Sequence, residues 1–309
     1  MVTRYAHNGQ VRIAYEDLGG RGGEPLLLVM GLGASRAWWP EGFVAALVEA
    51  GFHVVSYDQR DAGESTHFSE HEQVHPFVGL FRRRPVAYTA EDMADDAVAV
   101  LDAIGWDTAH LVGHSLGGLL AQRIALRHPD RVRTITVSGA MPSDARGLAQ
   151  LRHVRLGFVL WASRLGTPED DEGHVAAGVA LARRISSPAY AFDETTARTA
   201  VRRELAISRG IHDAGAQGRQ TGAPWSGGRL AEVRTPTLVL HGEQDPVVRP
   251  SAARATAAAI PGARLVLLPG VGHDLPRELW PRVAGEIRAL ADRTAPPPPR
   301  SQATSQAGS

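Results

Sequence analysis

Strand-length apolar runs alternate with amphipathic helical stretches along this chain, and that alternation admits few folds. Leu26 to Met30, Val54 to Tyr57, Ala109 to Val112 and Val132 to Ser138 read as strands, with helices predicted over Trp39 to Ala50, Ala90 to Ile104 and Leu116 to Arg127. The series resumes with a strand at Thr237 to Leu240, a helix near Ser251 to Ala259, a strand at Arg264 to Leu267 and a last helix from Arg277 to Ala291. An opening hairpin turns at Asn8-Gly9, with Arg12 to Asp17 as its second arm. Short apolar strands separated by amphipathic helices predict an α/β fold, a mostly parallel sheet with helices on both faces. Ligands of such a sheet bind beyond the carboxyl ends of its strands.

Between Ser138 and Leu230 the strand signals stop, and helical patterns rich in Arg, Ala and Leu take over. Residues 143–229 are therefore expected to form a helical cap inserted into a core made of 1–142 and 230–293. An insertion at that point overhangs the end of the strand Ala109 to Val112. From 294 to 309 the chain holds four consecutive prolines and then Ser, Gln and Ala, too little apolar side chain to bury, so a disordered tail is expected. The chain of 309 residues is long enough for one large core with such an insertion.

The sharpest motif is Val112-Gly113-His114-Ser115-Leu116-Gly117-Gly118, where an apolar strand meets a serine fenced by glycines and then a helical pattern. This is the layout of a nucleophile elbow. The turn forces Ser115 into strained backbone angles, and glycines at 113 and 117 allow strand and helix to approach. A serine nucleophile needs a base and the base an orienting carboxylate. His273, in Gly270-Val271-Gly272-His273-Asp274 after the final strand, is the candidate base. Asp245, in His241-Gly242-Glu243-Gln244-Asp245-Pro246 after the strand Thr237 to Leu240, is the candidate acid; Asp144 is its rival from another strand end, and Glu243 a weaker one. An oxyanion hole needs two convergent N–H donors. Leu116 N–H at the helix start supplies one, and Leu32 N–H in Met30-Gly31-Leu32-Gly33 the other.

Other signals narrow the partners. The 33 basic residues balance 33 acidic ones, which gives no ground for nucleic acid or anionic lipid and leaves a small molecule as the expected substrate. No apolar run approaches bilayer length and no apolar signal region opens the chain, so a cytoplasmic protein is expected; no residue pattern fixes its state between monomer and homodimer. Without cysteine, thiolate catalysis and disulfides are excluded; without lysine, so are Schiff-base and Ser-Lys mechanisms. The all-arginine basic set, with abundant Ala, Gly and Pro, resembles the usage of a GC-rich bacterial genome. His67, His71 and His75 are four apart, yet the adjacent Pro76 and poor periodicity favour a loop over a metal site, and neither metal nor organic cofactor is expected. Trp38, Trp39, Phe158, Trp161 and Trp225 are candidates to line an apolar pocket, with ordinary core packing as the alternative.

With those residues in place, the chain resembles the α/β-hydrolase superfamily from about Val11 to Arg293. Tyr57-Asp58-Gln59-Arg60-Asp61-Ala62-Gly63-Glu64-Ser65 is similar to that family's Asp-x-Arg-Gly-x-Gly-x-Ser loop, and Pro236 to Asp245 to its acid-bearing strand. Met30 stands where many members carry histidine, and Asp61 where they carry glycine. Both departures resemble the aclacinomycin-methylesterase-like serine hydrolases, which implies cleavage of a carboxylic ester, of the methyl-ester type found on polyketide rings. Lactonase, C–C bond hydrolase and perhydrolase chemistry fit the same three residues, and a non-hydrolytic cyclase or ligand-binding protein fits the same fold. Serine at 115 sets the chain apart from members that use aspartate there.

Overall fold

A computed structural model of the protein describes residues 2–68, 87–145, 148–165, 168, 170–208, 213, 217 and 227–294. Eight strands among them form one sheet: β1 (Arg4–Asn8), β2 (Val11–Gly19), β3 (Glu24–Val29), β4 (Phe52–Tyr57), β5 (Ala109–His114), β6 (Val132–Ser138), β7 (Thr237–Gly242) and β8 (Arg264–Leu268). Their order is β1-β2-β4-β3-β5-β6-β7-β8. The β1–β2 hairpin is antiparallel, β2 joins β4 antiparallel, and every other pairing is parallel.

Alternate residues of each inner strand point to opposite faces, and both faces are apolar. On one face Leu27, Val29, Leu111, Ile135 and Val137 pack with Met93, Val100, Leu120 and Ile124 from the helices Ala90–Ile104 and Leu116–Arg127. On the other, Leu26, Leu28, Val112 and Leu240 meet Phe43 and Leu47 of the helix Glu41–Glu49 and Val283 and Ile287 of the helix Trp280–Ala291. The helix Ala90–Ile104 begins at a capping box, with Thr89 Oγ1 accepting from Asp92 N–H and Asp92 Oδ2 from Thr89 N–H, and stops at Gly105, whose φ is +82°.

Two predicted helices start later than expected for one reason, a proline at the junction. Pro40 splits the stretch after Trp39, leaving a 3-10 turn at Arg36–Trp38 and a helix from Glu41; Pro281 sits at the second position of the last helix, behind a 3-10 turn at Arg277–Leu279. Between β6 and β7 the described residues carry helices at Leu148–Leu151, Leu156–Ala162, Asp171–Ile185 and Glu194–Leu205. The last two pack through Val175, Val179 and Val201, with Asp170 and Asp193 capping their amino ends. Among the described residues no helix is long and apolar enough to cross a membrane. The predicted tail lies outside the described residues from 295 onward.

Candidate active site

Ser115 occupies the turn between β5 and the helix Leu116–Arg127 at φ +54°, ψ −120°, a region that side-chain-bearing residues rarely adopt. Its N–H donates to Ser138 O at 2.8 Å, which ties the turn to β6. The glycines are required by contact. A Cβ on Gly113 would fall 2.2 Å from Gly117 O, and one on Gly117 would fall 1.9 Å from Val29 O at the end of β3. The hydroxyl therefore sits at the carboxyl edge of the sheet, with the amino end of a helix beside it.

At the same edge His273 Nδ1 lies 2.6 Å from Asp245 Oδ2. Asp245 is fully buried, and its other oxygen accepts from Val247 N–H at 2.7 Å and Val248 N–H at 2.8 Å. Burial alone would push this carboxyl up; His273, His241 and the backbone donors outweigh it and hold the carboxyl below its usual range. An ionised Asp245 leaves His273 Nδ1 as the donor and Nε2 free to take a proton. The rivals are placed elsewhere: Asp144 Oδ2 accepts from Leu230 N–H, and Glu243 is exposed.

The His273 ring stands 4.8 Å, centroid to centroid, from the ring of His114, the residue before the serine. Gly139, at φ +59°, makes room for both, since a Cβ there would meet His114 Cε1 at 3.0 Å and His273 Cε1 at 3.1 Å. Burial, with the neighbouring His273 adding to it, pushes His114 down to about 3, so this second imidazole stays neutral. Among the described residues no hydrogen bond joins Ser115 to His273; such contacts commonly close when substrate binds.

The loop after β3 faces the serine. A Cβ on Gly31 would lie 3.1 Å from Ser115 Cβ and 3.7 Å from Oγ. Residues 31–34 form a turn closed by Ala34 N–H on Gly31 O, with Gly33 at φ +68°. Gly33 N–H is taken by Gln217 Oε1 at 2.6 Å, while Gln59 Nε2 donates to Met30 O. Gly31 of this loop and Leu116 at the helix start thus border the serine from two directions.

The insertion reaches both loops. Ile185 O accepts from His273 N–H and Ser187 Oγ from Gly272 N–H on the histidine side. On the other side Glu204 accepts from Ser35 N–H and Oγ at 2.8 and 2.6 Å, and Arg203 donates to Trp39 O. None of these contacts is announced by a motif; only the polar residues within helical stretches hint at them.

Of the aromatic candidates, Trp39 is buried against Phe43, Trp38 packs on the Val175–Val201 contact, and Phe158 and Trp161 neighbour each other on the helix Leu156–Ala162. Trp225 lies outside the described residues, as do His71 and His75. His67 Nε2 meets Gly63 O at 2.9 Å, and among the described residues no group of three or more metal-ligating side chains occurs. Asp61 adopts φ +63° with Oδ1 accepting from Phe68 N–H, so aspartate serves at the site where the resembled loop carries glycine. Below it Asp58 is buried in contact with Arg36; burial pushes its carboxyl up to about 6 despite that guanidinium.

A serine at an elbow and a buried carboxylate–imidazole pair on neighbouring strand ends of a parallel sheet are the equipment of a hydrolase. The model of the α/β hydrolase fold matches residues 24–276, and the chain belongs to that family. It is 33% identical to rhodomycin D methylesterase DnrP of Streptomyces peucetius, an alignment covering 94% of this chain and 98% of that one. The putative carbamate hydrolase RutD of Azorhizobium caulinodans is 28% identical over 84% of this chain and 88% of its own. In fold, an esterase from Rhodococcus sp. ECU1013 superposes with a TM-score of 0.70 at 23% identity, covering 96% of this chain and all of that one.

Proposed function

We propose that this ester hydrolase of the α/β-hydrolase family works through an acyl-enzyme on Ser115. Ser115 Oγ attacks the ester carbonyl as His273 Nε2 takes its proton, and the Leu116 and Leu32 N–H groups receive the oxyanion. His273 then protonates the departing alcohol. In the second half it draws a proton from a water that attacks the acyl carbonyl, and returns it to Ser115 Oγ as the acyl C–O bond breaks and the acid leaves. Asp245 stays ionised throughout and stabilises the imidazolium. Side chains and backbone amides of this chain supply every group the two steps use. The insertion acts as the cap over the acyl-binding space.

The observation that carries the reading is the 2.6 Å contact between buried Asp245 and His273, beside a serine held at φ +54°. A methyl ester of a polyketide-type metabolite is the proposed substrate, supported by the near full-length likeness to a methylesterase. The test is fluorophosphonate labelling read by intact mass, beside turnover of p-nitrophenyl acetate and butyrate, on wild type and Ser115→Ala. Labelling and turnover should both vanish in the variant, with turnover down about a millionfold. Esterase activity retained by pure Ser115→Ala would refute the assignment. Identifying methanol and the free acid as products separates methyl-ester cleavage from lactone or C–C bond hydrolysis.

A further inference from the structure

We infer that Gln217, a residue between β6 and β7, is a positioning residue that holds in place the turn presenting the Leu32 N–H. This rests on the acyl-enzyme reading above. Three successive peptide units around Leu32 are each held by one hydrogen bond. Gln59 Nε2 holds the carbonyl of Met30–Gly31, Ala34 N–H that of Gly31–Leu32, and Gln217 Oε1 the N–H of Leu32–Gly33. In a trans peptide the N–H points opposite its carbonyl, so Ala34 N–H on Gly31 O aims the Leu32 N–H within the turn, and the two glutamines fix where the turn itself sits.

The third clamp is the vulnerable one. Gly33 has no Cβ to resist rotation, and a flip of the central peptide, here Leu32–Gly33, would leave the Leu32 N–H direction within the turn unchanged but release the turn from the side chain that holds it in place. Gln217 blocks that flip from 184 positions away in sequence. Its amide cannot be reversed, because Gly33 N–H requires an oxygen while Arg60 O, 3.2 Å from Nε2, requires a donor. Nε2 also reaches Gln59 Oε1 at 3.4 Å, which joins the first and third clamps into one pair of glutamines. Both are buried, Gln217 completely and Gln59 to within 2%. Engaging the Gly33 N–H also removes it as a competing donor and leaves the oxyanion to Leu32.

The experiment compares wild type, Gln217→Met and Gln59→Met, methionine keeping the length without the amide. kcat and KM are measured on p-nitrophenyl butyrate, together with the affinity of a butyl trifluoromethyl ketone, whose hemiketal places an oxygen in the hole. Gln217→Met should lower kcat and ketone affinity in parallel by about 10- to 100-fold, with KM within about threefold. A raised KM and lowered Tm with kcat and ketone affinity unchanged would mean that Gln217 merely anchors the insertion, and would overturn the inference. If Gln217→Met does not fold, Gln59→Met decides: the same paired loss supports the clamp, and unaltered kcat overturns it. A wild type that neither takes fluorophosphonate at Ser115 nor turns over ester removes the acyl-enzyme reading itself, a failure visible before any glutamine variant is compared.

Discussion

The two sides of Ser115 are held in different ways. On the base side, Asp245 is gripped by backbone N–H groups of its own turn, and the His273 loop by several backbone bonds, including His273 N–H on Ile185 O and Ala189 N–H on Gly270 O. On the side proposed for the oxyanion, the loop 30–35 is held, besides its own Ala34 N–H to Gly31 O bond, by side chains: Gln59, Gln217 and Glu204. The proposed base side rests mainly on backbone bonds, from its own turn and from Ile185 and Ala189, and the proposed oxyanion side mainly on side chains. That difference decides what each substitution should do.

Among substitutions on the two sides of the serine, the largest effect belongs to Asp245→Asn. The amide keeps the packing but loses the charge and can present its NH2 group to His273 Nδ1, which favours the wrong tautomer. kcat at neutral pH should fall about ten-thousandfold with KM little changed. A loss below about tenfold in steady-state kinetics would mean that the 2.6 Å contact does not orient the base.

Gly117→Ala comes next and strikes the junction between the two sides. The added methyl would lie 1.9 Å from a backbone oxygen, Val29 O, which cannot rotate away. Helix and β3 must separate, and the oxyanion loop moves with them. Destabilisation of about 3 kcal/mol or more is expected in urea unfolding, an effect that an exposed helical glycine such as Gly285, with open space around it, should not show.

The contrast between the sides explains what could be read from sequence. Alternating apolar runs announced the sheet, and the elbow, Asp245 and His273 stand in short motifs at strand ends; neighbours in the chain shape the elbow and the Asp245 turn, while His273 leans also on Ile185. Strand positions agreed to within a few residues; Pro40 and Pro281 shifted two helix starts. Asp245 was preferred to Asp144 from its motif, and the structure puts Asp245 against His273 and Asp144 against Leu230 N–H. Gln217, Glu204 and Ser187 were illegible, since a lone polar residue carries no sign of the distant amide it meets. Trp39 shows the converse: an aromatic residue beside the site by sequence is core by packing.

The sides also differ in sign with pH. Asp245 has a lowered pKa, so its contribution to stability is full above the ordinary carboxylate range and is lost as pH falls through the lower folded value. Asp58 and Glu204, near the oxyanion loop, are raised by burial, Asp58 to about 6. In the window between the ordinary value and the raised one, the folded state binds more protons, so their contribution is full at acid pH and is lost as pH rises. For Asp58 the change is at most about 3 kcal/mol. Between pH 4.5 and 7 their contribution to the urea midpoint should decline with rising pH, against the opposite contribution of His114, which burial holds neutral. Relative to wild type, Glu204→Gln should shift the measured slope toward stability that rises with pH and Asp245→Asn should not; equal slopes in all three proteins would remove the distinction.

The smallest effect is the one that tests redundancy directly. Ser187 Oγ donates to Asp274 Oδ1 at 2.5 Å and accepts from Gly272 N–H at 2.9 Å, so Ser187→Ala removes two hydrogen bonds from the loop that carries His273. Counting bonds alone, it should harm the site more than the loss of Gln217's single contact with Gly33. The His273 loop keeps its backbone bonds to Ile185 O and Ala189 N–H, and a Cβ on Gly272 would meet Ile185 O at 2.5 Å, so the two segments are in close contact without the hydroxyl. Stability should fall by about 1–2 kcal/mol while kcat changes less than about fivefold. A kcat loss in Ser187→Ala as large as that in Gln217→Met would show that the base loop is no better determined than the oxyanion loop, and that backbone bonds from the insertion do not hold His273 by themselves.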